Sequence, residues 1–241
     1  MRNIGFSTGA LALDDFKKAL EYLAPHSTHA IELSALRLKE LRPLISALPD
    51  LNLTRYDYIS VHVPSAFSAD EEVGLVALLH EVPKNWPLIV HPDSIHDYEL
   101  WRSLSSRVAI ENMDRRKSRG RTAAELAICF DRLPQAKFCF DIGHARQFDP
   151  SMAEAYTILT TFSDRLVQVH VSEVDAQSRH AVITYAAELA FREVAHLIPE
   201  GIPFILESRL SAEEIERELR KVTDLFASHS PIRSHSFSLT A

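Results

Sequence analysis

The sequence predicts an α/β protein, a single closed (β/α)8 barrel with its active face at the carboxyl ends of the strands. Three observations carry that expectation. Eight short runs rich in β-branched and aromatic residues recur along the chain, helix-period segments separate them, and titratable side chains stand at the ends of most runs rather than at one switch point. The length of 241 residues also suits a barrel, which typically takes roughly 250.

The runs are NIGFS at 3–7, HAIEL at 29–33, YISVHV at 58–63, PLIVH at 87–91, RVAIE at 107–111, AKFCFD at 136–141, RLVQVHV at 165–171 and IPFILE at 202–207. Their near-continuous apolar character is that of strands covered on both faces, hence paired in parallel. Between one strand end and the next lie 20 to 37 residues, the spacing of βα units. The first full helix is expected over 14–24, with Phe16, Leu20 and Leu23 as its apolar stripe and Asp14 as its cap. At the last, Ser211 and Glu214 have capping-box spacing, and Ile215, Leu219, Val222 and Leu225 or Phe226 continue one face. No GxGxxG turn follows the first strand, which argues against a doubly wound sheet and leaves no organic cofactor expected. The barrel is assigned to 1–227, and residues 228–241, serine-rich and without a sustained period, to a loosely ordered tail.

Composition narrows the function classes. A formal net charge of −7 argues against holding nucleic acid through overall charge. The two cysteines, Cys129 and Cys139, lie among apolar neighbours and read as buried free thiols, which suits a reducing, cytoplasmic setting. Ser7, Thr8 and Gly9 break the apolar start, so no signal peptide is expected, and no apolar stretch approaches the roughly 20 residues of a membrane helix.

In such a barrel all eight strand ends meet at one mouth. This chain would bring there His62 in SVHVP, His91 in IVHPD, Glu111 in AIENMD, Asp141 and His144 in FDIGHA, His170 in QVHVSE and Glu207 in ILESR. Singly, each is an ordinary rim residue or helix cap. Together, seven imidazoles and carboxylates on an apolar-walled mouth would hold poorly solvated charge unless cations neutralised it. Histidine with carboxylate and no cysteine suits zinc, manganese or iron. Two such ions can activate a water and clamp a phosphoryl group, whereas one polarises a sugar carbonyl and hydroxyl.

The ordered set VHVP, VHPD, ENMD, DIGHA, VHVSE and LES, spread over essentially residues 1–227, resembles the xylose isomerase-like TIM barrels, and among them the endonuclease IV type of apurinic/apyrimidinic endonuclease. The resemblance implies a hydrolase in which His62, His91 and Glu111 bind one metal and Glu111 bridges to a second held by Asp141, His170 and Glu207, with hydroxide between them as nucleophile. It implies a third ion on His144, His180 and an aspartate two residues earlier, where this chain has Ser178. Asp175 or Glu173 could take that place, or His144 could serve as a hydrogen-bond donor or proton carrier. Two or three divalent ions are therefore expected, with Glu111, Glu207 and His144 as catalytic groups. Sugar and sugar-phosphate isomerases and epimerases of the same superfamily resemble the chain at Glu111, Asp141, His170 and Glu207, with one metal, and they define the competing expectation.

The basic run RRKSRGR at 115–121 offers Arg115 and Arg116 as anion ligands, and Arg146 and Arg209 follow Asp141 and Glu207 closely enough to join them. Glu32, ending the second strand, is a further candidate for a substrate hydroxyl or for supporting a ligand. A small phosphorylated or sugar substrate is expected, nucleic acid stays open as a substrate, and no membrane partner is.

Overall fold

A computed structural model describes residues 2–227; the tail assigned to 228–241 lies outside the described residues. In chain order the elements are β1 (Ile4–Ser7), α1 (Thr8–Ala12), α2 (Phe16–Leu23), β2 (Ala30–Ser34), α3 (Leu38–Ala47), β3 (Tyr58–His62), α4 (Ala69–Leu79), β4 (Leu88–Val90), α5 (Tyr98–Arg102), β5 (Val108–Glu111), α6 (Ala123–Arg132), β6 (Lys137–Asp141), α7 (Ile142–Phe148), α8 (Ala153–Phe162), β7 (Leu166–Val171), β8 (Glu173–Val174), β9 (His180–Ala181), α9 (Tyr185–Ala195), β10 (Phe204–Leu206) and α10 (Ile215–Leu225). Eight of the strands close into a barrel in the order β1, β10, β7, β6, β5, β4, β3, β2, every neighbour parallel. The strands β8 and β9 form a separate antiparallel hairpin.

Side chains alternate across a strand, so each barrel strand feeds two environments. Phe6, Leu33, Val61, Val90, Ile110, Phe140, Val169 and Leu206 point outward and join the helices in one buried core. The intervening residues point into the barrel. This packing holds the strand ends still, which is what a site assembled from many strands requires.

The observed elements depart from the sequence reading in three places. The helix expected over 14–24 spans Phe16–Leu23, and its cap is Asp15, which accepts from the Lys18 N–H at 3.0 Å, rather than Asp14. The strands β1 and β6 run straight into short helices, α1 and α7, with no intervening loop. The hairpin β8–β9 leaves no trace in the sequence pattern, because two-residue strands have no period to read. At the chain's end the Ser211–Glu214 capping box is present. Cys129 and Cys139 are buried and free. Among the described residues no helix is long and apolar enough to cross a membrane.

Candidate metal centre

The inward-facing residues are stacked in layers. Ile89, Ala109 and Cys139 make a small apolar cluster separate from the main core, and two residues further along stand His91, Glu111 and Asp141. Register aligns the ring: Asp141 is level with His170, and Ser34 with His62. An apolar patch therefore lies under one side of a ring of imidazoles and carboxylates.

Glu111 is at the centre and 1 % exposed. Its Oε2 lies 3.5 Å from His62 Nε2 and 3.3 Å from His91 Nε2. Its Oε1 lies 3.3 Å from His144 Nδ1 and 3.4 Å from His170 Nδ1. Glu207 Oε2 stands 3.4 Å from His170 Nδ1 and 3.6 Å from His180 Nδ1. Asp141 Oδ2 stands 3.5 Å from His144 Nδ1. The eight residues expected as metal ligands come together in three overlapping groups: His62, His91 and Glu111; Glu111, Asp141, His170 and Glu207; and Asp141, His144 and His180. Within each group the ligand-capable atoms all lie within 4.8 Å of one another.

The donor set fits divalent cations on physical grounds. Glu111 Oε2, Asp141 Oδ2 and His170 Nδ1 are buried without a hydrogen-bond partner among the described residues, an arrangement that costs several kcal/mol unless a cation compensates (about 1–3 kcal/mol per unmade bond, more for charged groups). His62 Nδ1 lies 2.9 Å from the Val63 carbonyl, to which it donates when Nε2 is turned toward Glu111 as a lone pair. Protonation tells the same story. Burial alone would lower the His62 pKa, but Glu111 raises it to about 9. Asp141 and Glu111 likewise overcome burial and raise His144 to about 10. Burial lifts Glu207 to about 8, and burial next to His144 drops His180 to about 3. The ring thus holds protons in the positions that cations would take.

Local structure explains how α7 enters the site. Asp141 caps it, accepting from the His144 N–H at 2.6 Å, so one residue is both strand end and helix start. A glycine at 143, directly after a strand end, reads in the sequence as a turn over the mouth. It instead sits inside α7, where a Cβ would come within 2.4 Å of the Ser172 carbonyl oxygen, so glycine is required for close approach, not for a turn.

The expected stand-ins for the missing loop carboxylate are engaged elsewhere. Asp175 accepts from the Gln177 and Arg179 N–H groups and pairs with the Arg179 side chain at 2.8 Å, and Glu173 pairs with Arg146 at 2.9 Å and accepts from the Thr184 N–H. Ser178 turns its hydroxyl to Asp114 at 2.6 Å, while Gln147 donates to the same oxygen at 2.8 Å. Asp141 is the carboxylate that joins His144 and His180.

The basic run is largely structural. Lys117 pairs with Asp93 at 3.0 Å, Arg119 donates to the Asp93 and Ile95 carbonyls, and Arg121 pairs with Glu125. Arg115 and Arg116, both exposed, donate to the Ala176 and Ser178 carbonyls of the hairpin turn. Arg146 is neutralised by Glu173. Arg209, two residues beyond Glu207, is exposed and has no ion-pair partner among the described residues. Glu32 is 0 % exposed and lies beneath the ring, with its Oε2 2.9 Å from His170 Nε2.

Several contributors do not stand out in the sequence. Asn112, fully buried, donates to the Asp141 carbonyl and accepts from the Asp141 N–H, each at 2.8 Å, and its own carbonyl lies 3.0 Å from His144 Nδ1. Ser60 and Gln168 line the layer beneath His62 and His170. For Ser60 and Gln168 the available signal is a polar residue two positions before a strand-end histidine, on the same face; Asn112, next to Glu111, has no such signal.

No protein-family model matches the sequence, and no curated protein matches it as a relative. Solved structures do match in fold. Endonuclease IV from Thermus thermophilus superposes with a TM-score of 0.59 at 19 % identity, covering 92 % of this chain and 98 % of that one. A 3-keto-D-glucoside 4-epimerase from E. coli gives 0.53 at 14 %, covering 93 % and 99 %. A xylose isomerase-like TIM barrel protein from Mycobacterium smegmatis, in complex with magnesium, gives 0.58 at 14 %, covering 94 % and 98 %. These likenesses, together with the strand order, show the fold: a closed (β/α)8 barrel similar to that of endonuclease IV and of the xylose isomerase-like TIM barrel protein.

Proposed function

We propose that this protein is a metal-dependent hydrolase of a phosphodiester or phosphorylated substrate, with two divalent ions flanking Glu111. In this reading His62, His91 and Glu111 hold one ion, and Glu111, Asp141, His170 and Glu207 hold the other. The observation that carries it is the division of Glu111: each of its oxygens faces a different pair of imidazoles. The ions supply a water of lowered pKa and Lewis-acid charge for an oxyanion. The protein does the rest. The buried layer of Ile89, Ala109, Cys139, Glu32, Ser60 and Gln168 lies beneath the ring, so substrate would enter from the mouth. His180, with its side chain 26 % exposed, is the imidazole most open to that mouth. Arg209, without an ion-pair partner among the described residues, would supply a cation for an anionic substrate, and Arg115 would add positive charge from the hairpin side, where Arg116 already faces Asp114 at 3.6 Å. Asp141, with His144 and His180, offers a third group that takes another ion or relays a proton between imidazoles.

One observation favours a second reading. The group Glu111, Asp141, His170 and Glu207 is by itself a complete set for one ion, and Glu111 and Glu207 could then act as acid and base on a sugar or sugar phosphate. Turnover decides between them. Protein purified without chelator and supplied with zinc, manganese or iron is assayed on aryl phosphodiesters, a duplex with an abasic site, and a panel of ketoses and ketose phosphates. The hydrolase reading expects phosphoester cleavage; ketose turnover without it would replace that reading with the isomerase.

A further inference from the structure

One layer below the ligand ring, Glu32 on β2 is level with Ser60 on β3, and both are fully buried. Glu32 Oε2 lies 2.9 Å from His170 Nε2 and 2.7 Å from Gln168 Nε2, and it accepts from the Ser60 hydroxyl at 3.3 Å. Gln168 is held in turn by the Tyr58 hydroxyl, which donates to its Oε1 at 2.9 Å. The other nitrogen of His170, Nδ1, faces Glu111 Oε1 and Glu207 Oε2, each at 3.4 Å.

We propose that Glu32 is a positioning residue for the metal centre: it takes the hydrogen on His170 Nε2 and so fixes the ring with its Nδ1 lone pair turned to Glu111 and Glu207. His170 would then coordinate through Nδ1. The inference rests on reading the ring as a metal centre. A ligating histidine commonly donates its second ring hydrogen to a carboxylate, which sets the tautomer and raises ligand basicity.

A rival arrangement exists, because Gln168 Nε2 also stands 2.7 Å from His170 Nε2. If the amide donated to that nitrogen, the neutral ring would carry its hydrogen on Nδ1, facing the carboxylates instead of a cation. Two features decide for Glu32. A buried carboxylate is a stronger acceptor than a neutral imidazole, and it collects the donors around it. The amide hydrogens also have other destinations, Glu32 Oε2 and the Cys139 sulfur at 3.7 Å. The second oxygen of Glu32, Oε1, has no hydrogen-bond partner among the described residues, and Glu32 has ligand-capable reach to His62 and Glu207, so direct ligation is the alternative role that a test must separate.

Nuclear magnetic resonance of 15N-histidine-labelled protein reads the hydrogen directly. In metal-free protein at a pH high enough to make the ring neutral, and again after loading with zinc, His170 Nε2 is expected to carry a hydrogen and Nδ1 none; a neutral ring with its hydrogen on Nδ1 would overturn the proposal. The metal-free spectrum is independent of ion binding, so a wild-type chain that binds no cation would sink the metal-centre reading while this measurement still judged Glu32. Competition with a chromophoric chelator gives the second readout. Glu32→Leu is expected to weaken zinc binding by about 10–100-fold with the number of ions unchanged, and Glu32→Gln, which keeps a carbonyl acceptor, to recover part of that loss. Unchanged affinity in Glu32→Leu, or the loss of one whole ion, would overturn it, the latter by making Glu32 a ligand.

Discussion

Glu111 is held as an anion despite complete burial. Desolvation would raise its pKa, but His170 and His91, with hydrogen bonds from His144 and His170, carry it well below the usual carboxylate range. A carboxylate kept charged between two pairs of imidazoles is suited to bridging two ions. Replacing it with glutamine keeps the shape and removes the charge. Glu111→Gln is expected to lower the metal content by at least one ion and phosphoester turnover by about a thousandfold, taking the loss as roughly 4 kcal/mol of Lewis-acid stabilisation; elemental analysis alongside steady-state assay checks both. At this scale the sequence is informative because each residue proposed to hold the two ions lies at or beside the end of a barrel strand, whereas His144 and His180 do not. Asn112 and Gln168 are harder to see, since a polar residue beside or two before a ligand gains meaning only when the strand's inward face is known.

Among the elements, α7 and the β8–β9 hairpin carry the least predictable part of the site. α7 starts without a loop because Asp141 serves as its cap, and it packs close enough to β7 and β8 that only glycine fits at 143. Gly143→Ala would push a methyl group against the Ser172 carbonyl and the Val174 side chain, so α7 must shift and take His144 with it. The expected cost is about 1–3 kcal/mol in urea unfolding of the metal-free protein, and a stability equal to wild type would contradict the close-packing account. Away from the ligand ring, Glu72 is buried and accepts from the His96 and Asp97 N–H groups and from Trp101 Nε1, at 2.8 to 2.9 Å. Glu72→Leu leaves three donors unpaired and is expected to destabilise by about 3–5 kcal/mol, measured by the same unfolding experiment, with little change in metal affinity. The periodic strands and longer helices are legible because their patterns repeat. The hairpin is not, because its form depends on contacts from Asp114, Arg115, Arg116 and Gln147, which no local pattern encodes.

At the level of the whole molecule, closure of eight parallel strands makes one site from residues spread between positions 62 and 207, and that spacing makes the fold legible from sequence. The same closure links metal, protons and stability. His62 and His144 are raised from 6.5 to about 9 and about 10, and Glu207 from 4.5 to about 8, so above pH 6.5, where the lowered His180 no longer counts, these groups make the metal-free fold bind more protons than the unfolded chain. Stability from the two histidines is fully present below pH 6.5 and is lost as pH rises through 9 to 10; the raised Glu207 likewise disfavours the fold as pH rises from 4.5 through 8. Cations displace those protons, so their apparent affinity rises over the same interval. The melting temperature of metal-free protein is therefore expected to fall between pH 6.5 and 9 while the stabilisation gained on adding zinc grows, and scanning calorimetry across that range would show the two curves diverging. Parallel curves would contradict this linkage.

If two ions share Glu111, anomalous diffraction from crystals of the protein loaded with zinc or manganese will show two peaks beside Glu111, one near His62 and His91 and the other among Asp141, His170 and Glu207. A single peak held by Glu111, Asp141, His170 and Glu207, with His62 and His91 unligated, would contradict the two-ion reading.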